Sequence, residues 1–153
     1  MSLDEIDRRI LRALQRNGRL SNADLSEDVH LSPSACHRRV QRMEKAGYIR
    51  DYVALLDPRK LGMPTTVFVE ITLQGQADVV LDAFEKAVAR IPDVLECHLM
   101  AGAADYLLKV VAEDTEDFAR IHRQHLARLP GVGQMQSSFA LRTVCKTTAL
   151  PIT

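Results

Sequence analysis

The chain has 153 residues, 46% hydrophobic and 26% charged, with 20 Lys+Arg against 20 Asp+Glu. That length holds one domain of ordinary size or two small ones, and the composition excludes a mainly disordered or fibrous chain and lets a core form without disulfides or a structural metal. No apolar run approaches the ~20 residues of a membrane span, the acidic opening Met1-Ser2-Leu3-Asp4-Glu5 has no secretory h-region, and the scattered Cys36, Cys97 and Cys145 suit a reducing cytoplasm rather than a disulfide framework or zinc ribbon.

In chain order, Leu3, Ile6, Ile10, Leu11 and Leu14 recur at steps of three and four, an amphipathic helix ending near Asn17-Gly18. Ser21 opens a second, short helix with Asp24 as its capping-box partner and Leu25 and Val29 on the apolar side. After a turn at His30-Leu31, Ser32-Pro33 reads as an N-cap followed by proline at the first helical position. This third helix runs to about Ala46, where Gly47 supplies a left-handed stop. Tyr48 to Leu56 reads as a β ribbon, and Leu56 to Pro64 as a linker.

Beyond the linker the period changes. Val67, Val69, Ile71 and Leu73 alternate with Thr66, Phe68, Glu70 and Thr72, which predicts a strand over Pro64–Leu73. A helix over Ala77–Ile91, strands over Val94–Met100 and Asp105–Ala112, a helix capped by Thr115 and running to Leu129, and a strand from Gln134 to about Lys146 complete the order βαββαβ. That is a ferredoxin-like layout, so the fold class is α+β, with a winged helix-turn-helix over 1–62 and a ferredoxin-like domain over 63–153. Phe68, Leu107 and Val111 fall opposite the main apolar set, so the sheet is apolar on both faces and a second copy would cover the outer one.

The neutral total conceals a split. Residues 1–62 hold 12 Lys+Arg and 9 Asp+Glu, net +3; residues 63–153 hold 8 and 11, net −3. Opposite signs point to modules with different partners. On the third helix, steps of about 100° per residue place Cys36, Val40, Met43 and Gly47 on one stripe and Ser34, Arg38, Gln41, Arg42 and Lys45 opposite, with His37 on the flank. Such a helix fits the major groove of double-stranded DNA, with Ser34, His37, Arg38 and Gln41 base-facing and Arg39, Arg42 and Lys45 on phosphates. The plain alternative is a solvated surface helix; the short helix, tight turn and Ser-Pro start favour helix-turn-helix.

These residues resemble a known family. Leu3-Asp4 with Ile6-Asp7 and Ile10-Leu11, Asn17-Gly18-Arg19, Leu31-Ser32, Arg38-Arg39-Val40 with Met43-Glu44, and Ala46-Gly47-Tyr48-Ile49 look like the opening of the Lrp/AsnC transcriptional regulators. Leu61-Gly62, Gly102 with Asp105-Tyr106-Leu107-Leu108, and Leu129-Pro130-Gly131-Val132 extend the resemblance over nearly the whole chain. It implies a cytoplasmic, nucleoid-associated regulator whose sheets pair into a homodimer, assembling to a tetramer or octamer. It also implies a small amino-acid effector held between dimers, near the turn joining the second and third strands. Carried over, the effector residues are Met100, Ala101, Gly102, Ala104 and Asp105, with Gln136, Ser137 and Ser138 on the last strand. A glycine turn exposes N–H groups to an α-carboxylate, and Asp105 offers a partner to an α-ammonium; an ordinary turn capped by Asp105 is the competing reading. Ala103-Ala104 depart from the more polar or aromatic residues usual in the family.

No cofactor, metal site or membrane contact is expected. His122 and His125 lie in the apolar stripe of the last helix and read as half-buried histidines rather than metal ligands, which need a third partner. No nucleophile triad, phosphate loop or Cys-x-x-Cys marks an enzyme. A siroheme-decarboxylase-like enzyme shares the two-module layout, and a weakly specific architectural DNA-binding protein is the remaining alternative.

Overall fold

Apolar spacings of three and four in the first third become helices, and the alternation that follows becomes a sheet. The computed structural model describes residues 2–153. Three helices, α1 (Glu5–Arg16), α2 (Asn22–Asp28) and α3 (Pro33–Lys45), precede β1 (Thr65–Leu73), α4 (Asp78–Val88), β2 (Val94–Leu99), β3 (Tyr106–Ala112), α5 (Thr115–Gln124), a 3-10 turn at Leu126–Arg128 and β4 (Val132–Phe139). Packing gathers the chain up to Leu55 with Cys145–Thr153 into one unit and Leu56–Val144 into the other. The boundary expected at 62/63 therefore falls earlier, and the C-terminal residues, expected with the sheet, pack with the helices.

In the first unit, α1 starts on a full capping box: the Asp7 N–H donates to Asp4 Oδ1 at 2.8 Å and the Asp4 N–H to Asp7 Oδ2 at 3.2 Å. At α2 the Asp24 N–H donates to Ser21 Oγ at 3.0 Å. Helix α3 opens on Ser32, whose Oγ accepts the Ala35 N–H, with Pro33 in the first turn. The turn before it holds His30 at φ 57°, and Gly47 at φ 78° ends the helix. Ile10, Leu25, Val29, Cys36 and Met43 form the core. The β ribbon expected over Tyr48–Leu56 is absent: Tyr48 and Ile49 bend, and residues 50–56 join no strand ladder. Tyr52 is anchored instead, its hydroxyl donating to Glu44 Oε1 at 2.9 Å.

The second unit is one antiparallel sheet in the order β2-β3-β1-β4. Val67, Val69, Ile71 and Leu73 of β1 and Tyr106, Leu108, Val110 and Ala112 of β3 pack with Phe84, Val88, Phe118 and Ile121 of the helices. The outer face carries Phe68, opposite Lys109, with Leu107 opposite Glu70 and Val111 opposite Thr66. Phe68 is 40% exposed there.

Several element ends differ from expectation, α4 stopping at Val88 before Ile91 and β4 starting at Val132 before Gln134 among them, and three have a plain cause. Asp114, not Thr115, caps α5, accepting the Asp117 N–H at 2.7 Å. Helix α5 stops at Gln124 rather than Leu129, because His125 leaves helical angles and the following 3-10 turn delivers both Leu126 and Leu129 to the core. Strand β4 ends at Phe139 rather than near Lys146: Phe139 pairs with Val67 and the Ala140 N–H reaches Thr66 O, close to the start of β1, so further residues have no partner to pair with.

Gly131, between the 3-10 turn and β4, has φ 74°, and a Cβ there would meet Val80 Cγ1 at 3.0 Å. Gly131→Ala is expected to cost about 1–3 kcal/mol in denaturant unfolding, from left-handed strain plus the contact. Adding Val80→Ala should recover part of the loss; strictly additive costs would show that the contact carries no energy.

Candidate nucleic-acid interface

Cys36 and Met43 anchor α3 in the core, which turns the opposite stripe to solvent. Ser34, His37, Arg38, Gln41, Arg42 and Lys45 are all exposed. Arg38, Gln41, Arg42 and Lys45 border one shallow depression with Ala46. Burial pushes the Cys36 thiol up, so it behaves as a small apolar group and not as a thiolate.

Arg39 does something else. Half-buried, it donates from Nη1 to Asp4 Oδ2 at 2.7 Å and to Asp7 Oδ1 at 2.8 Å. Arg42 donates from Nη2 to Asp7 Oδ2 at 2.8 Å. The Asp7 side chain is 0% exposed, so a buried carboxylate on α1 grips two arginines one turn apart on α3. The Asp7 N–H and then Arg39 hold the Asp4 carboxyl below its ordinary value, and Asp4 and Asp7 in turn raise the Arg39 guanidinium. Arg39, expected on phosphate, is committed to this internal clamp; Arg42, half exposed, belongs to both clamp and outer face. Asn22 Nδ2 donates to Pro33 O at 2.7 Å and ties the starts of α2 and α3 together.

The sequence reading missed Asp7 as a functional residue. Its signal was available: an acid within the apolar stripe of Leu3, Ile6, Ile10 and Leu14, where a charge survives only if paired.

In the second unit the loop of Met100, Ala101, Gly102, Ala104 and Asp105 joins β2 to β3. The Met100 N–H donates to Asp105 O at 2.8 Å, and the Asp105 N–H to Ile71 O at 2.9 Å. The Asp105 carboxylate accepts the Leu73 N–H at 2.8 Å and Gln76 Nε2 at 3.0 Å. It therefore closes the end of β1, while each oxygen keeps acceptor capacity. Gln136 and Ser138 lie on the outer face opposite Glu70 and Phe68, whereas Ser137 pairs with Val69 on the helix-facing side. A single chain gathers the five loop residues and leaves the three β4 residues apart, on two faces of a strand that is not adjacent to β3.

His122 is half-buried with its ring edge-on to Phe118 at 6.3 Å, and His125 ends α5. No group of three His, Cys, Asp or Glu among the described residues is placed to hold a metal. Among the described residues, no helix is long and apolar enough to cross a membrane.

A helix-turn-helix presenting arginine, lysine and glutamine on its outer helix, joined to a ferredoxin-like domain, defines a two-module DNA-binding regulator. A winged helix-turn-helix DNA-binding model matches residues 3–50, and the Lrp/AsnC ligand binding domain model matches residues 66–150. The leucine-responsive regulatory proteins of Klebsiella pneumoniae and Escherichia coli K12 are each 43% identical over 150 residues, 98% of this chain and 92% of the relative. A Neisseria meningitidis transcriptional regulator solved as a complex with L-Met superposes with a TM-score of 0.93 at 39% identity, covering 98% of this chain and 97% of that one. An AsnC family regulator from Agrobacterium tumefaciens gives 0.93 at 40% identity, with 97% of each chain covered. The chain belongs to the Lrp/AsnC family: it is a DNA-binding regulator with a ligand-binding domain.

Asp7→Asn keeps the volume but turns an N–H₂ group toward the two guanidiniums. It is expected to cost about 1–3 kcal/mol in thermal unfolding and to weaken DNA binding by loosening α3; unchanged stability would show the clamp to be incidental. The Tyr52 hydroxyl is pushed up to about 12 by burial and then by Glu44. A group whose folded value lies above its ordinary value near 10 contributes stability below that value and loses it as pH rises toward 12. Stability should fall over that window, and Tyr52→Phe should flatten the fall in alkaline unfolding curves.

Proposed function

We propose that the chain is a sequence-specific transcriptional regulator in which Ser34, His37, Arg38 and Gln41 read bases while Lys45 and Arg42 meet phosphates. The observation that carries this is the exposed stripe of α3 held in place by the Asp7 clamp. Arg38 forks onto guanine and Gln41 onto adenine by donor and acceptor geometry. Arg39 contributes through the clamp.

A small amino acid is the proposed effector. The support is the L-Met bound by the Neisseria relative, together with a loop that exposes backbone around Gly102 beside a carboxylate with spare acceptor capacity. One chain does not assemble the loop with Gln136 and Ser138, so the site is proposed to be completed between copies. The outer sheet face with Phe68, Leu107 and Val111 is proposed as the homodimer surface, with dimers assembling further. On this reading the protein acts on the nucleoid as a regulator rather than as an enzyme.

Arg38→Ala is expected to lose about 1–3 kcal/mol of discrimination at one base pair in competition binding. Lys45→Ala should weaken all sequences alike and reduce the salt slope by about 0.9. A ratio near one between target and bulk genomic DNA would overturn specificity and favour an architectural protein. A thermal-shift panel of L-amino acids, with light scattering, tests the effector. Asp105→Asn keeps most of the loop bonding and is expected to abolish the ligand shift while leaving DNA binding intact; a retained profile would move the pocket elsewhere.

A further inference from the structure

The ligand-binding domain match runs to residue 150, yet residues from Cys145 onward pack with the DNA-binding helices. Leu150 and Ile152 form one side of a groove whose remaining open volume is about 390 Å³ and whose other sides include Leu11, Leu14, Ile49 and Tyr52. Gln15 binds the tail through both ends of its amide. Its Oε1 accepts the Leu150 N–H at 2.9 Å, and its Nε2 donates to Leu150 O at 2.8 Å. Those are the two bonds a neighbouring strand would give an extended peptide. Arg12 Nη1 reaches Ile152 O at 3.4 Å. Pro151 has no N–H to leave unpaired, and the Ile152 N–H returns to Leu150 O at 2.9 Å.

The hold is light. Leu150 remains 71% exposed, and the approach to it is uncommitted, with Leu141 99% and Val144 84% exposed. Tethering on a short flexible run gives an effective concentration of about millimolar, so a site of about millimolar affinity stays occupied in part and releases readily.

We propose that the groove beside α1 is a docking site whose ligand is the chain's own C-terminal segment, residues 149–153. The docked tail is a releasable second tether between the DNA-binding unit and the sheet. The first tether is the linker before β1; the second follows β4 directly. Docking restricts the freedom of the DNA-binding unit, and release leaves that unit on one linker.

The test uses the full chain and a chain ending at Thr148, titrated with a synthetic peptide of residues 146–153. Tyrosine emission reports uptake, since the chain has no tryptophan, Tyr48 and Tyr52 border the groove, and the peptide has neither residue. The shortened chain is expected to take up the peptide saturably at about millimolar concentration, with the intact chain needing about twofold more. Gln15→Ala in the shortened chain should weaken uptake about tenfold, as expected for two lost hydrogen bonds. Ile152→Asp in the full-length chain places a charge on the less exposed tail side chain, opens the groove without shortening the chain and should behave like the truncation. Absent uptake in both opened forms, equal uptake by the intact chain, or equal uptake of a scrambled peptide overturns the proposal. So does filling of the Ile152→Asp groove on mixing with Gln15→Ala chains at micromolar concentration, which would assign the groove to a second copy's tail.

Discussion

The first unit turns on one buried carboxylate. Asp7 cannot be ionised in an apolar core without partners, and the partners it recruits are Arg39 and Arg42 of α3. The same carboxylate that closes the α1 capping box with Asp4 thus has its charge satisfied by α3 and fixes the rotation of α3 about its own axis. Rotation decides which side chains α3 turns outward: a turn of a few tens of degrees would replace Arg38 and Gln41 on the exposed stripe by flanking residues. Apolar packing of Cys36 and Met43 tolerates such slippage better than a bidentate ionic grip does. The arginine nearest the core is thus structural, and those further around the helix are free to meet the ligand.

The second unit is organised by a different constraint, the central position of β1. It is bonded on both sides along almost its whole length, and Asp105 closes its far end through the Leu73 N–H. The loop proposed to meet the effector is therefore bonded to a central strand of the sheet. Changes at Asp105 bear on β1 before they bear on anything else.

Much of this was legible beforehand. Period and punctuation located all five helices and four strands, and the alternation of Phe68 against Val67 and Val69 placed each on its proper face. The stripe on α3 followed from 100° steps. What the sequence left hidden depended on partners far along the chain. Tyr48–Leu56 has β-like composition, but a strand exists only where another pairs with it. Gln134 to Lys146 reads as one strand, yet β1 supplies partners only as far as Phe139. Arg39 carries the same charge as Arg38, and only the tertiary position of Asp7 separates their roles. Ser137 and Ser138 look alike until register assigns them to opposite faces.

The outer face of the sheet carries one further consequence. In the proposed homodimer Phe68, Leu107 and Val111 would be sheltered further by a second chain, so folding free energy and association free energy would share the same apolar contact. By mass action, the melting temperature would then depend on protein concentration, and a ligand that favours association would contribute in proportion to the logarithm of its own concentration. For such an assembly, cellular abundance would itself be a state variable: dilution would weaken the sheet unit and the pairing together.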